Sequence, residues 1–298
     1  MRRDNTPEGS ICTVDFDGGG QAVVTGRGAR LTRLDLPGVT DEQPLLWTGD
    51  VSSGLGVSGV VPVYPWFAGG RRKNKRPVHG LAADVDWEME RMVDHGSRPG
   101  DRQEIMWSLD HDDLDADLAG ERRARFAARA DYSFAGRHAS GDAAVTMRLQ
   151  VSNLGDNVSS QAVGVLAAIR VGDADQCWIS GMSGYECSDL DAVATHTQVG
   201  RLPMTQPMTH LFEAPGESRE HRVELHDRSL ERTTILTGSS AREAFVWRPE
   251  GAPEFVVLGF VNRRRHVVRL TPGQTFSMGF TIAATPSLSV PDASARTH

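Results

Sequence analysis

The chain has 298 residues, 39% hydrophobic and 24% charged, and a net charge of −7. These are globular values; the acidic balance excludes a broad nucleic-acid-binding surface, and no run of about 18 apolar residues exists to cross a membrane. Cys12, Cys177 and Cys187, at irregular spacing, argue against a disulfide framework and a zinc site. With no apolar segment after Met1-Arg2-Arg3 to form a signal peptide, the cytoplasm is the expected location.

Short apolar–polar alternations dominate from the start. Residues 20–25 and 30–36 read as a first hairpin. Residues 71–76 form the one dense basic run, either a solvated loop or an anion-binding lid. The acidic stretch 97–119 reads as loops, and its Asp110-His111-Asp112-Asp113 cluster as a solvated turn rather than a metal site. Residues 146–152 (T-M-R-L-Q-V-S) alternate with period two, as a half-buried strand does. A longer apolar run, 161–171, is followed after a Gly-Asp turn by 176–180. Residues 233–237, 244–247, 255–260, 266–270 and 275–282 continue the strand series, punctuated by Gly and Pro. Helical periodicity is scarce and no internal repeat is present. The pattern predicts an all-β chain: a sandwich of two large antiparallel sheets. All-β units often run to about 200–250 residues, so residues 1–285 are expected as a single domain and 286–298 as a disordered tail.

Five landmarks carry a more specific signal. Residues 59–90 read G-V-V-P-V-Y-P-W-F-A-G-G-R-R-K-N-K-R-P-V-H-G-L-A-A-D-V-D-W-E-M-E. Ser152-Asn153-Leu154-Gly155-Asp156, Arg170-Val171-Gly172-Asp173, Val246-Trp247-Arg248-Pro249 and Leu270-Thr271-Pro272-Gly273-Gln274 follow in order. Together they resemble the aldose 1-epimerase (hexose-6-phosphate mutarotase) family, whose corresponding motifs are "GGIPVCFPWFG…HGFAR…W", "LTNTGD", "RVGD", "VVWNP" and "LAPGE". The resemblance covers about residues 20–282. It implies a galactose mutarotase-like β-sandwich with a cleft on one sheet and a sugar as small-molecule partner. It also implies ring opening by general acid–base catalysis with no metal or organic cofactor.

The resemblance fails where that chemistry sits. His79 matches the family's first histidine, a substrate contact near the ring oxygen. The second, the proton donor of "LHTYFRVGD", is Leu166 here; the general base of "FVCVE" is Gly259. Neither can move a proton. No histidine lies between His138 and His196, so no small register shift restores the acid. The family's two arginines become Ser58 and Ala83. His210 is then the candidate catalytic partner facing His79, since imidazoles titrate near neutrality. Tyr64, Trp66, Arg71, Arg72 and Asp84 are candidate substrate-binding residues: Trp66 for stacking, the arginines for gripping an anion, and Asp84, like Asp86, as a replacement carboxylate. Each has a plainer reading, as core packing or solvated charge. Arg263-Arg264-Arg265 reads as a hairpin turn with a route to the cleft mouth, and Glu186 is given no role. The expected function is a divergent epimerase-like enzyme catalysing an isomerisation, ring closure or elimination on a sugar or other carbonyl compound. A non-catalytic carbohydrate-binding relative and a conventional mutarotase are the alternatives.

Overall fold

The computed structural model describes residues 1–6, 9–16, 19–40, 43–49, 56–69, 77–95, 102–114, 125–135, 143–190 and 195–286. These residues form antiparallel strands and four short 3₁₀ turns, with no α-helix among them. An eleven-stranded sheet runs in the order Arg2–Thr6, Gly9–Asp15, Gln21–Thr25, Arg30–Asp35, Val60–Val63, Val163–Arg170, Phe255–Asn262, Glu243–Arg248, Met208–Glu213, Glu186–Asp189, Thr195–Thr197. A nine-stranded sheet runs Leu202–Pro203, Cys177–Ser180, His221–Asp227, Arg232–Ser239, Thr275–Pro286, Ala144–Asn153, Phe126–Ala135, Arg102–Asp110, Glu88–Asp94. A ribbon of Ser159–Gln161 and Val268–Leu270 stands apart from both.

The expected sandwich is therefore observed, and alternation explains its core. On the central strand Val163–Arg170, Val163, Val165, Ala167 and Ile169 join Val256, Leu258 and Phe260 of its neighbour in the main core. Leu149, Val151, Phe280 and Ile282 of the second sheet complete it. The alternate residues Leu166, Ala168, Val257 and Val261 point to the outer face and belong to a second apolar cluster. Both strands are thus buried on both faces, which is why they read as continuous apolar runs.

Part of the stretch expected as loops is ordered. Arg102–Asp110 is a nine-residue strand, because Ile105, Trp107 and Leu109 alternate into the core, with Met106 and Ser108 between them on the other face. The following His111–Asp113 turn is capped by Asp110, which accepts the Asp112 N–H at 3.0 Å, and Asp112 pairs with Arg125. Pro286, expected to open a tail, ends the strand Thr275–Pro286 opposite Arg232; residues 287–298 lie outside the described residues.

The landmark motifs knit this scaffold. Asn153, fully buried, donates to the carbonyls of Asn157 (2.8 Å) and Leu270 (2.9 Å). Its backbone exchanges bonds with Gln274 and Gly273. Two motifs more than a hundred residues apart are thereby clamped together. Gly172 donates to Asp227 (2.9 Å), Arg232 donates to the Arg170 carbonyl (2.6 Å), and Arg248 pairs with Asp175 (2.7 Å).

Candidate functional site

Residues directly opposite one another in an antiparallel ladder share a face. On the outer face of the large sheet this rule lines up two rows. The first is Val61, Leu166, Gly259, Phe245, Leu211 and Ser188. Leu166 and Gly259, the positions of the family's acid and base, are thus immediate neighbours. Leu166 is fully buried. A Cβ added to Gly259 would lie 2.8 Å from Leu166 Cδ2 and 2.2 Å from the Val165 carbonyl oxygen. Leucine and glycine are interlocked there, and no proton donor or acceptor stands at either position.

The second row, two residues along, is Val261, Glu243, Glu213 and Glu186. Three carboxylates directly opposite one another repel, and the turn 263–266 supplies the compensating charge. Arg263 Nε lies 3.5 Å from Glu243 Oε2, with both side chains nearly buried. Glu213 receives Arg265, His266 (3.0 Å) and Arg242 (3.2 Å); Arg265 also lies 3.5 Å from Glu186. Arg264 holds the left-handed position at the apex, φ 48°, and donates to the Leu190 carbonyl at 3.0 Å. Burial raises the Glu213 carboxyl, but hydrogen bonds from Arg265 and His266 outweigh it and hold the group below its usual range. Glu243 differs. Burial pushes its carboxyl up to about 7, Arg263 opposes the rise, and the neighbouring Glu213 adds to it.

His79 reaches the same face from the loop after the strand Val60–Val63. Gly80 shapes that approach: at φ +86° a Cβ there would lie 2.1 Å from the Tyr64 carbonyl, so only glycine lets the chain pass. The loop base is fastened by Trp66 Nε1 donating to Pro77 (2.7 Å) and Gly69 N–H to Val78 (2.6 Å). The His79 ring, 3% exposed, packs against Phe67 (4.9 Å between centroids) and Phe245 (6.4 Å). Arg263 lies over the same Phe67 ring at 5.8 Å. The His79 imidazole and the Arg263 guanidinium thus border one aromatic side chain, and Glu243 is joined to it through Arg263. Groups of this kind, desolvated and beside specific partners, mark sites of proton transfer.

The expected pairing of His79 with His210 is not formed. His210 lies opposite Val246, which faces the main core, whereas Leu211 lies opposite Phe245 on the outer face. The two imidazoles therefore belong to opposite faces, and His210 Nε2 instead meets Asp189 at 2.8 Å. Tyr64 and Trp66 also turn inward: both are in the main core, Tyr64 beside Phe126 at 4.9 Å, so neither presents a stacking face. Asp84 is half-exposed and 3.8 Å from Arg30, and Asp86 is exposed, 3.9 Å from Arg27. Arg71 and Arg72 lie outside the described residues. Ser58 and Ala83 are buried, and the Ala83 carbonyl accepts from Arg30 at 2.9 Å. Sequence reasoning passed over Glu243 and read Arg263 as part of a hairpin turn with a route to the cleft mouth; the available signal for Glu243 was a carboxylate at the start of an apolar run.

No protein-family model matches the sequence, and no curated protein is significantly similar to it. Solved structures do match. The fold is that of the galactose mutarotase-like proteins, a class that includes aldose 1-epimerases. Similar structures are the YeaD protein of Salmonella typhimurium (TM-score 0.74, 16% identity, covering 95% of this chain and 93% of that one) and a galactose mutarotase-like protein of Clostridium acetobutylicum (0.73, 12%, 96% and 98%). A galactose mutarotase related enzyme of Lactobacillus acidophilus follows (0.71, 13%, 93% and 98%). At these identities the likeness establishes the fold.

Proposed function

We propose that this chain is an acid–base isomerase built on the mutarotase fold, acting on a sugar or another carbonyl-containing small molecule through Glu243 and His79 rather than through the family's own pair. The observation that carries this reading is the Glu243 carboxyl, held at about 7 on the face that bears the vacated acid and base positions. It stands one strand over and two residues along from Gly259, a diagonal of about 7–8 Å. Near pH 7 such a group exists in both forms and serves as base in one half of a proton shuttle and acid in the other. His79 supplies the second titratable group. Conventional aldose ring opening is not expected, because Leu166 and Gly259 offer nothing to the ring oxygen or the anomeric hydroxyl.

Two measurements test this. NMR exchange on glucose, galactose and glucose 6-phosphate is expected to show anomers interconverting at the uncatalysed rate. A panel of aldoses, ketoses and hydroxyketones in D₂O is expected to reveal isomerisation or deuterium uptake beside a carbonyl, falling about 10²–10⁴-fold in Glu243→Gln. Fast anomer exchange that survives Glu243→Gln would overturn the proposal. Binding without turnover across the panel selects a second reading, a non-catalytic small-molecule binder, which the closure of Leu166 over Gly259 favours.

A further inference from the structure

Behind the arginine turn, the structure holds a groove of about 530 Å³ between the ends of the two sheets. Its charged lining is one-sided: Arg219, Arg242, Arg265, Arg269 and His266 against Glu217. On a chain whose net charge is −7, this concentration is local and positive. Two kinds of cation line it. Arg242 and Arg265 are held from behind by Glu213, and Arg242 also donates to the carbonyls of Ser218 (3.3 Å) and Gly216 (2.9 Å), so its fork is oriented before any ligand arrives. Arg219 and Arg269 have no ion pair among the described residues. Arg269 projects from the Val268–Leu270 strand, which is fixed by its ladder to Ser159–Gln161. The wall between the charges has an apolar part, the half-buried Val267 and Phe276, beside Asn262 and Thr275, while Val268 and Leu270 turn into the main core.

We propose that this groove binds a small anionic molecule, an oxyanion head of the phosphate or carboxylate class on a carbon body. Guanidinium groups recognise such heads bidentately, two donors to two oxygens, and a fork already oriented loses less freedom on binding. The apolar part of the wall accommodates the carbon body. Glu213 already shows the chemistry: one carboxylate collects Arg242, Arg265 and His266. A ligand approaching from the groove side would meet the same cations, together with the unengaged Arg219 and Arg269. A second arginine-lined hollow, at Arg91, Arg102, Arg129 and Arg148, is less suited, since Glu104 and Asp131 line it and Asp131 engages Arg129 at 2.6 Å.

Isothermal titration of the full chain with inorganic pyrophosphate and with succinate, at constant ionic strength, tests the proposal. Saturable binding of at least one is expected, with pyrophosphate identifying the phosphate class and succinate the carboxylate class. The double substitution Arg219→Gln/Arg269→Gln is expected to weaken it at least tenfold. Arg148→Gln, in the second hollow, should leave it unchanged. Thermal melts of both variants confirm folding. No saturable heat with either anion overturns the proposal, as does equal affinity in the double variant. Neither result depends on Glu243.

Discussion

Along Val163–Arg170, the side chains at 163, 165, 167 and 169 meet the second sheet, while those at 166 and 168 join the cluster around Phe67, Phe245 and Trp247. The first face does what the interior of any sandwich does, filling the space between two sheets with interdigitated apolar groups. The second, on the outer side of the same sheet, is packed almost as thoroughly. Its carboxylates stand in one row, Glu243–Glu213–Glu186, with the arginine turn that neutralises it. The motifs that tie strands together sit where the scaffold needs them, while Leu166 and Gly259 on the outer face contribute packing.

Substitutions on the two faces can break that comparison. Gly259→Glu, which nominally restores the lost base, is expected to have the largest effect, because its Cβ meets backbone at 2.2 Å and the strands must separate to admit it. Chemical denaturation should show either failure to fold or a loss of several kcal/mol. Phe260→Ala, in the main core, is expected to cost about 3–5 kcal/mol. Leu166→Ala on the outer face should cost about 2–5 kcal/mol if that face is a true second core; a loss below about 0.5 kcal/mol would show it is a lightly packed surface.

The charged row gives a smaller, pH-dependent signature. Folding raises the Glu243 carboxyl from 4.5 to about 7, so the folded state binds more protons than the unfolded one between those values. Its contribution is therefore fully present below about 4.5 and lost as pH rises through about 7. The expected slope, worth on the order of 3 kcal/mol over that window, should vanish in Glu243→Gln, as read from melting temperature against pH. At the small end, Asp189→Asn removes the partly exposed pair with His210 and should change stability by less than about 1 kcal/mol.

Much of the scaffold was legible beforehand. The runs at 233–237, 244–247, 255–260 and 275–282 lie within the observed strands Arg232–Ser239, Glu243–Arg248, Phe255–Asn262 and Thr275–Pro286, because period-two burial leaves a period-two sequence. Arg102–Asp110 escaped notice because Ile105, Trp107 and Leu109 lie inside an acidic, polar stretch that reads as loops. The site was harder to read. Leu166 and Gly259 drew attention through the identities that flank them, yet their adjacency is a matter of register, which no local pattern records. Glu243 stood one residue outside the expected strand, and Arg263 looked like an exposed turn residue; both are buried only because the turn folds back over its own sheet. His210 was misjudged for the same reason: which face a strand residue takes depends on a parity that one residue of uncertainty reverses.

The interlock of Leu166 with Gly259 also bears on which substitutions these two positions tolerate. A carboxylate arriving first at 259 strikes the leucine and the backbone beside it; a histidine arriving first at 166 finds no carboxylate opposite and leaves a polar ring in an apolar cluster. Each change alone is expected to cost stability, so a proton-transferring pair at these two positions needs both changes together. A titratable group at the margin of the sheet, where Glu243 stands, disturbs less packing than one inserted at its centre.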